Sequence, residues 1–364
     1  MSTTPDSLPI EQQVGQLLAA AIRSGASDVH LRAEQPPMFR VAGDLQAVNM
    51  PAFDRAAMRA IANRMTPAGL REAANTANQI DFSAEWQATA RFRVHRFQVR
   101  GEPALVLRII PLTIPDFASL RLPVAVKRIA NLERGLVLIT GPTGMGKSTT
   151  IASILDFIAH NHSKHILSIE DPLEFIIGPG LSVVSQRELG RDVTNYALGL
   201  WAALREDPDV IFIGEIRNLE TVRVALQAAE TGHLVISAIH TLDATSTIEH
   251  VVNMFPSDEQ ASARIRLAET LQAVLCQRLV TMKGRRQLVL ACEVMLRGPS
   301  IYEWIRRPEK VKPLVDLIAA ATPDGMLSFD QSLRRLYEAG LVELEVASAA
   351  ASSPSDFIRN LKLT

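Results

Sequence analysis

The stretch GLVLITGPTGMGKSTT (Gly135–Thr150) opens as an uncharged apolar run, passes through G-x-x-x-x-G-K-S, and enters the helical pattern TTIASILDFIAH. Strand, glycine-rich turn, then helix is the context in which this motif is a P-loop. The glycines let backbone N–H groups curl round phosphate oxygens, and the start of the helix adds its positive end. Gly141, Thr143, Gly144, Met145, Gly146, Lys147, Ser148 and Thr149 are therefore the expected nucleotide-binding residues. Lys147 is placed to reach the β- and γ-phosphates and Ser148 to ligate Mg2+. The stretch predicts a site for a nucleoside triphosphate.

Three further apolar runs end in polar groups. HILSIEDPLEF ends at Glu170 and Asp171, DPDVIFIGEIRN at Glu215, and HLVISAIHT at His240. Short β-branched runs alternating with helices imply a parallel sheet covered on both faces, whose strand ends open on one side where ligands bind. An acid after a strand is ordinarily only a loop residue. Three such ends beside a P-loop make Glu170, Glu215 and His240 candidates for catalysis. VIFIGE lacks an Asp directly after its apolar run, so Glu215 is the acid placed to organise Mg2+ or the attacking water; Asp209 lies at the other end of the strand.

His233 and His240 stand seven residues apart, about 23 Å along an extended strand, too far to share one ion. His240 is expected to sense the γ-phosphate and His233 to contact a neighbouring subunit; the plainer alternative for each is a hydrogen-bonded structural histidine. HNHSKH (His160, His162, His165) has the count of a metal site but falls in a helix-to-strand turn, where solvated loop is the expected reading.

Composition sets the limits. The chain has 364 residues, 47% hydrophobic and 21% charged, enough for two ordinary globular domains. With 38 basic and 39 acidic residues it has no overall field to hold it on nucleic acid or anionic lipid. No apolar run approaches a membrane span, and MSTTPDSLPI lacks the layout of a secretory signal. Cys276 and Cys292 sit among apolar neighbours as expected buried thiols. These features predict a cytoplasmic location.

The pattern divides into an α+β domain over 1–110, a proline-containing linker over 111–134, an ATPase core over 135–255 and a helical C-terminal part over 256–364. In the first, Val14, Leu17, Leu18 and Ala21 mark one helical face, and RAAMRAIANRM predicts a second helix. In the last, Ser257 with Gln260 reads as a capping box. Ile265, Ala268, Leu271, Leu275 and Leu279 then continue at helical spacing. ASAAASSPSD reads as a loop or short helix.

ARFRVHRFQVR (Ala90–Arg100) puts four arginines on a strand. Phe92 and Val94 alternate on one face and Phe97 and Val99 resume one step out, which predicts a bulge near His95–Arg96. Arg91 and Arg93 then share the polar face, with Arg108 on the next strand. The face is open to three readings: solvated, nucleic-acid-binding (disfavoured, with no aromatics there to stack on bases), or reaching ATP as arginine fingers.

Taken together and in this order, GPTGMGKSTT, IEDPLEF, REDPDVIFIGEIRN and AAETGHLVISAIHT resemble the Walker A, Asp box, Walker B and His box of the secretion and type IV pilus ATPase superfamily. SGASDVHLRAEQPPMFRVAGDL and MFPSDEQ resemble its PilT/PilU branch of twitching-motility retraction ATPases. The likeness runs from about residue 10 to 360. It implies a P-loop RecA-like domain preceded by a smaller α+β, PAS-like domain, with ATP and Mg2+ as ligands. It also implies a homohexamer on the cytoplasmic side of the inner membrane, working on a membrane platform protein, with a paralogous ATPase as a further partner and no direct nucleic-acid binding. Arg93 and Arg108 match the arginines that reach ATP, Arg205 a contributing arginine, and Glu170 and Glu215 the acids that activate water and organise Mg2+. Two positions depart from the pattern. Trp201 stands where many relatives have an arginine, and PSIYEWIRRPE replaces the C-terminal motif of the retraction enzymes. An accessory subunit of PilU type, or another secretion-system assembly ATPase, is the alternative implied.

Overall fold

The computed structural model describes residues 9–86, 90–284 and 287–362; most of the MSTTPDSLPI stretch lies outside them. The chain forms two compact units. The first runs to Thr113 and takes in Glu170–Ile176 and Arg187–Thr194; the second holds Ile114–Ile169, Ile177–Gln186 and Asn195–Thr364.

The first unit is built from α1 (Ile10–Arg23), β1 (Ala26–Leu31), β2 (Met38–Val41), β3 (Asp44–Ala47), α2 (Arg55–Met65), α3 (Arg71–Thr76), β4 (Gln79–Trp86), β5 (Ala90–Val99) and β6 (Glu102–Ile110). The strands form one antiparallel sheet in the order β3-β2-β1-β6-β5-β4. Val14, Leu17 and Leu18 of α1 and Met58, Ile61 and Met65 of α2 bury their apolar stripes with Val29, Phe82, Phe92, Val94 and Leu107 in one core. Asp54 caps α2 by accepting the N–H of Ala57 at 2.7 Å.

Strand β5 carries no bulge. Its pairing with β4 and with β6 runs unbroken from Arg91 to Phe97, so the expected break near His95–Arg96 is corrected. Alternation simply continues, which sends Arg96 to the side of Phe92 and Val94. There its guanidinium, buried, donates to Thr66 Oγ1 at 2.9 Å and Asn75 Oδ1 at 3.2 Å. A buried arginine was affordable because α2 and α3 end in hydroxyl and amide acceptors beside it.

Arg91 lies on the other face. It donates to the Leu173 carbonyl (3.2 and 3.1 Å), to Ser83 Oγ (2.7 Å) and to Glu85 (2.8 Å), and stands 4.0 Å from Glu188. Glu188 in turn accepts the N–H groups of Ser83 and Leu173, both at 3.2 Å, and the Ser83 hydroxyl. Both side chains are nearly inaccessible, at 8% and 3% exposure. This buried pair fixes 170–176 and 187–194 to the antiparallel sheet.

The second unit comprises α4 (Ala125–Ala130), β7 (Gly135–Thr140), α5 (Lys147–Asn161), β8 (His165–Glu170), β9 (Val183–Glu188), α6 (Tyr196–Ala203), β10 (Val210–Ile213), α7 (Leu219–Glu230), β11 (Leu234–Ile239), α8 (Ala244–Asn253), α9 (Gln260–Thr270), β12 (Leu271–Thr281), β13 (Leu288–Leu296), α10 (Pro299–Arg306), α11 (Leu314–Ala320), α12 (Phe329–Glu338), α13 (Leu344–Ala350) and α14 (Pro354–Lys362), with the ends of β8 and β9 reaching into the first unit. Its seven-stranded sheet has the order β13-β12-β7-β11-β10-β8-β9. Strands β12, β7, β11, β10 and β8 run parallel, and β7, β10 and β11 are buried along their whole length, as strands covered on both faces must be. The architecture is α/β, with the smaller antiparallel unit preceding it.

Two expectations for the C-terminal part are corrected. Helix α9 starts at Gln260 behind Glu259, and Ser257 sits in the preceding turn; Gln260 Nε2 reaches back to the Phe255 carbonyl instead. The apolar series does not stay helical either, because Leu271, Leu275 and Leu279 belong to β12. Steps of four satisfy a helix, but they are also even, so Leu275 and Leu279 fall on one face of a strand equally well, while a register shift between Leu271 and Ala273 sets Leu271 apart. The 111–134 segment is only partly a connector: from Ile114 it belongs to the second unit, where Val126 and Ile129 are fully buried.

Buried Glu293 on β13 accepts the Ala244 N–H at 2.8 Å. Burial pushes its carboxyl up to about 7, with Asp243 adding to the rise and the Ala244 N–H, Arg278 and Cys276 opposing it. A raised carboxyl favours the folded state below its ordinary value and forfeits that preference as pH climbs through about 7. Wild-type stability should therefore fall by on the order of 3 kcal/mol between pH 4.5 and 8 from this group. Glu293→Gln should remove that slope, which melting at the two pH values checks; an unchanged slope would contradict it. Glu188→Ala leaves Arg91 its contact with Glu85 but strands the buried N–H groups of Ser83 and Leu173, and should cost on the order of 3 kcal/mol in chemical denaturation. A loss below about 1 kcal/mol would show the pair to be immaterial.

Candidate nucleotide site

The P-loop leaves β7 at Thr140 and enters α5 at Lys147. Gly141 has φ +141°, and a Cβ there would stand 2.5 Å from the carbonyl oxygen of Gln277. Only glycine lets β12 press this closely on the loop. Gly146 caps α5 in the left-handed conformation without any side-chain acceptor, so the first-turn N–H groups face outward for an anion. Strand β12 holds the loop from beside: Gln277 donates to Thr150 Oγ1 at 2.7 Å, and the Leu279 N–H to Met145 Sδ at 3.2 Å. Thr143, Gly144 and Ser148 are exposed, and Thr149 is half-buried.

Lys147 is buried and donates to the carbonyls of Gly141 (2.7 Å) and Pro142 (2.9 Å). Its ammonium also lies 3.3 Å from His240 Nδ1. An ammonium has no acceptor, so Nδ1 accepts and the imidazole proton belongs on Nε2. Nε2 stands 3.3 Å from Glu215 Oε2. The result is a continuous chain, Lys147 to His240 to Glu215, across the ends of β7, β11 and β10. Arg217 pairs with the other Glu215 oxygen.

Ser148 and Glu215 offer a hydroxyl and a carboxylate, the hard oxygen donors that suit Mg2+, which usually keeps several waters and binds one or two protein groups plus phosphate. The residues present fit that ion.

Glu170 closes β8 and is buried; its carbonyl accepts the Leu189 N–H at 2.9 Å. In the first unit Arg93 reaches Glu174 at 3.3 Å and Arg108 reaches Asp28 at 2.9 Å. The negative charges these arginines face within the unit are thus carboxylates. His233 sits before β11, at the opposite end from His240. Its Nδ1 lies 2.9 Å from the Ala228 carbonyl and 3.2 Å from Thr231 Oγ1, where it closes the α7–β11 turn. Arg205 is exposed in the turn after α6, ahead of β10. His165 lies 3.0 Å from the Glu206 carbonyl and 2.9 Å from Ser185 Oγ, and no metal-holding cluster of His, Cys, Asp or Glu occurs among the described residues. Among the described residues no helix is long and apolar enough to cross a membrane.

Gln277 and Arg217 escaped the reading of the sequence, as did the contact of Leu279 with the P-loop. VLCQRLV carries a polar pair inside an apolar run, and that was the available signal for Gln277.

The chain is 41% identical over 344 residues to the type IV pilus retraction ATPase PilT of Pseudomonas aeruginosa, covering 94% of this chain and 99% of that one. It is 36% identical to the type IV pilus ATPase PilU of the same organism, covering 96% and 91%. A crystal structure of the pilus retraction motor PilT with bound ADP matches with a TM-score of 0.85 at 40% identity, over 94% of this chain and 98% of that one. The family model described as "Type II/IV secretion system protein" matches residues 3–323. The chain belongs to the type II/IV secretion system protein family.

Proposed function

We propose that the protein is an Mg-dependent ATPase motor that powers type IV pilus retraction. The observation that carries the reading is the Lys147–His240–Glu215 chain at a P-loop. The similarity to PilT along nearly its whole length supports the assignment to pili.

In this reading the P-loop N–H groups and Lys147 bind the β- and γ-phosphates, Lys147 exchanging its carbonyl partners for phosphate oxygens. Mg2+, held by Ser148 and Glu215, would supply neutralising charge at those oxygens. Glu170 takes the proton of the attacking water as its oxygen bonds to the γ-phosphorus and the bond to the bridging oxygen breaks. His240 donates from Nε2 to Glu215 and reports the state of the γ-phosphate through Lys147. Arg93 and Arg108, with side chains 39% and 56% exposed, exchange Glu174 and Asp28 for phosphate oxygens and act as fingers. Arg205 contributes a further positive charge, and His233 faces a neighbouring subunit beyond its role in the turn.

The working unit is a homohexamer at the cytoplasmic face of the inner membrane. It passes its motion to the pilus platform protein, with a paralogous ATPase as companion and no direct contact with nucleic acid. A second reading, an accessory ATPase of PilU type, is favoured by Trp201, which lies 43% exposed on α6 four residues before Arg205.

Arg93→Ala discriminates the finger role. It should lower kcat by about 10³-fold while nucleotide affinity stays within a few-fold. Equal losses in kcat and affinity would assign Arg93 to ground-state binding, and retraction of pili restored by the variant in a cell lacking its own retraction ATPase would remove the finger altogether.

A further inference from the structure

The segment Thr241–Asp243 joins His240 to α8 and is held at four points. Asp243 and Ser246 form a capping box, in which the Ser246 N–H donates to Asp243 at 2.7 Å. Thr241 and Thr247 share a hydroxyl hydrogen bond of 2.6 Å. These two ties are local. The other two come from the β12–β13 hairpin. Glu293 accepts the N–H of Ala244, the first residue of α8, at 2.8 Å, and Arg278 Nη2 makes a long contact of 3.4 Å to the Leu242 carbonyl.

Arg278 has further partners. Its Nη1 donates to the carbonyl of Ala350, the last residue of α13, at 2.6 Å. Its guanidinium carbon stands 3.9 Å from the ring centroid of Phe329, the buried first residue of α12. A helix C-terminus leaves carbonyls unpaired and carries partial negative charge, and a ring face attracts a cation, so both partners hold this guanidinium in place. The hairpin is also the surface on which the C-terminal helices pack: Val280, Val289 and Ala291 share a core with Leu333, Ala347 and Phe357. One hairpin therefore touches the P-loop through Gln277 and Leu279, the His240 segment through Glu293 and Arg278, and α12–α13 through Arg278.

We infer that Glu293 and Arg278 are positioning residues for His240, and that through Arg278 the placement of α12 and α13 sets the geometry of the nucleotide site. The inference rests on the ATPase reading above. An outward or inward shift of the C-terminal helices pulls the Leu242 carbonyl with Arg278. With Ala244 held by Glu293, that pull is taken up by the few residues between them and His240. A partner that grips the C-terminal helices thereby changes the distance between His240 and Lys147 or Glu215 without touching nucleotide.

The test uses the purified full chain and compares steady-state ATP hydrolysis with binding of a fluorescent ATP analogue. Glu293→Ala should lower kcat about tenfold and leave nucleotide affinity within about twofold. Glu293→Gln, which keeps an acceptor oxygen for the Ala244 N–H, should stay within about twofold of wild type on both counts. Arg278→Met should show the same loss confined to kcat, and reports even where Glu293→Ala does not fold. In the His240→Ala background neither substitution should slow turnover further by more than about twofold. Wild-type turnover in Glu293→Ala and Arg278→Met, Glu293→Gln as slow as Glu293→Ala, or full additivity with His240→Ala would each overturn the inference. A wild-type chain without turnover would instead overturn the ATPase reading, and His240→Ala with full turnover would overturn the role given to His240.

Discussion

The parallel pairing of β7 with β11 sets Thr140 opposite Ile239, and that of β11 with β10 sets Ser237 opposite Ile213. From these ends the chain needs only a few residues to deliver Lys147, His240 and Glu215 to one place. Three fully buried strands cannot slip by one residue without turning polar backbone and side chains out of register. The register is thus what makes hydrogen-bond distances of 3.3 Å across three strand ends reproducible. The close approach of Gln277 to Gly141 adds a fourth strand to the same constraint and locks the P-loop against β12.

Much of this arrangement is legible in the residues. The P-loop, the four parallel strands and the helices α1 and α2 follow from periodicity and from glycine placement, because each signal is local. What escaped is non-local. Leu275 and Leu279 obey two periods at once, and the pairing of β12 with β7 and β13 decides for strand. Arg96 breaks the alternation of β5 for a local reader, yet its acceptors Thr66 and Asn75 lie 30 and 21 residues away. Arg91 has near partners in Ser83 and Glu85, but Leu173 and the Glu174 that Arg93 meets lie 82 and 81 residues away, and no spacing within ARFRVHRFQVR announces them or Glu188.

The buried Arg91–Glu188 pair also changes how the Asp-box segment is understood. Residues 170–176 precede strand β9 and 187–194 begin with its last two residues, yet both segments fold with the antiparallel sheet of the first unit. Glu170, the expected activator of water, is therefore the first residue of a segment whose position follows that sheet. Arg93 and Arg108 are themselves exposed enough to turn to other anions, at modest cost for the half-buried Glu174 and at more for Asp28, whose buried carboxylate would keep only the Ser27 hydroxyl among these contacts. Arg91 is not, and its role is to hold the segment.

If the hydrolytic site of this chain is complete, the purified protein turns over ATP without a partner. The direct measurement is steady-state Mg-ATP turnover by the purified protein beside Glu215→Ala, with both held at equal nucleotide occupancy. Sustained turnover is expected in the wild type, with a loss of about 10²-fold or more in the variant while ATP stays bound. Negligible turnover in the wild type, or turnover that Glu215→Ala leaves intact, would contradict a complete site.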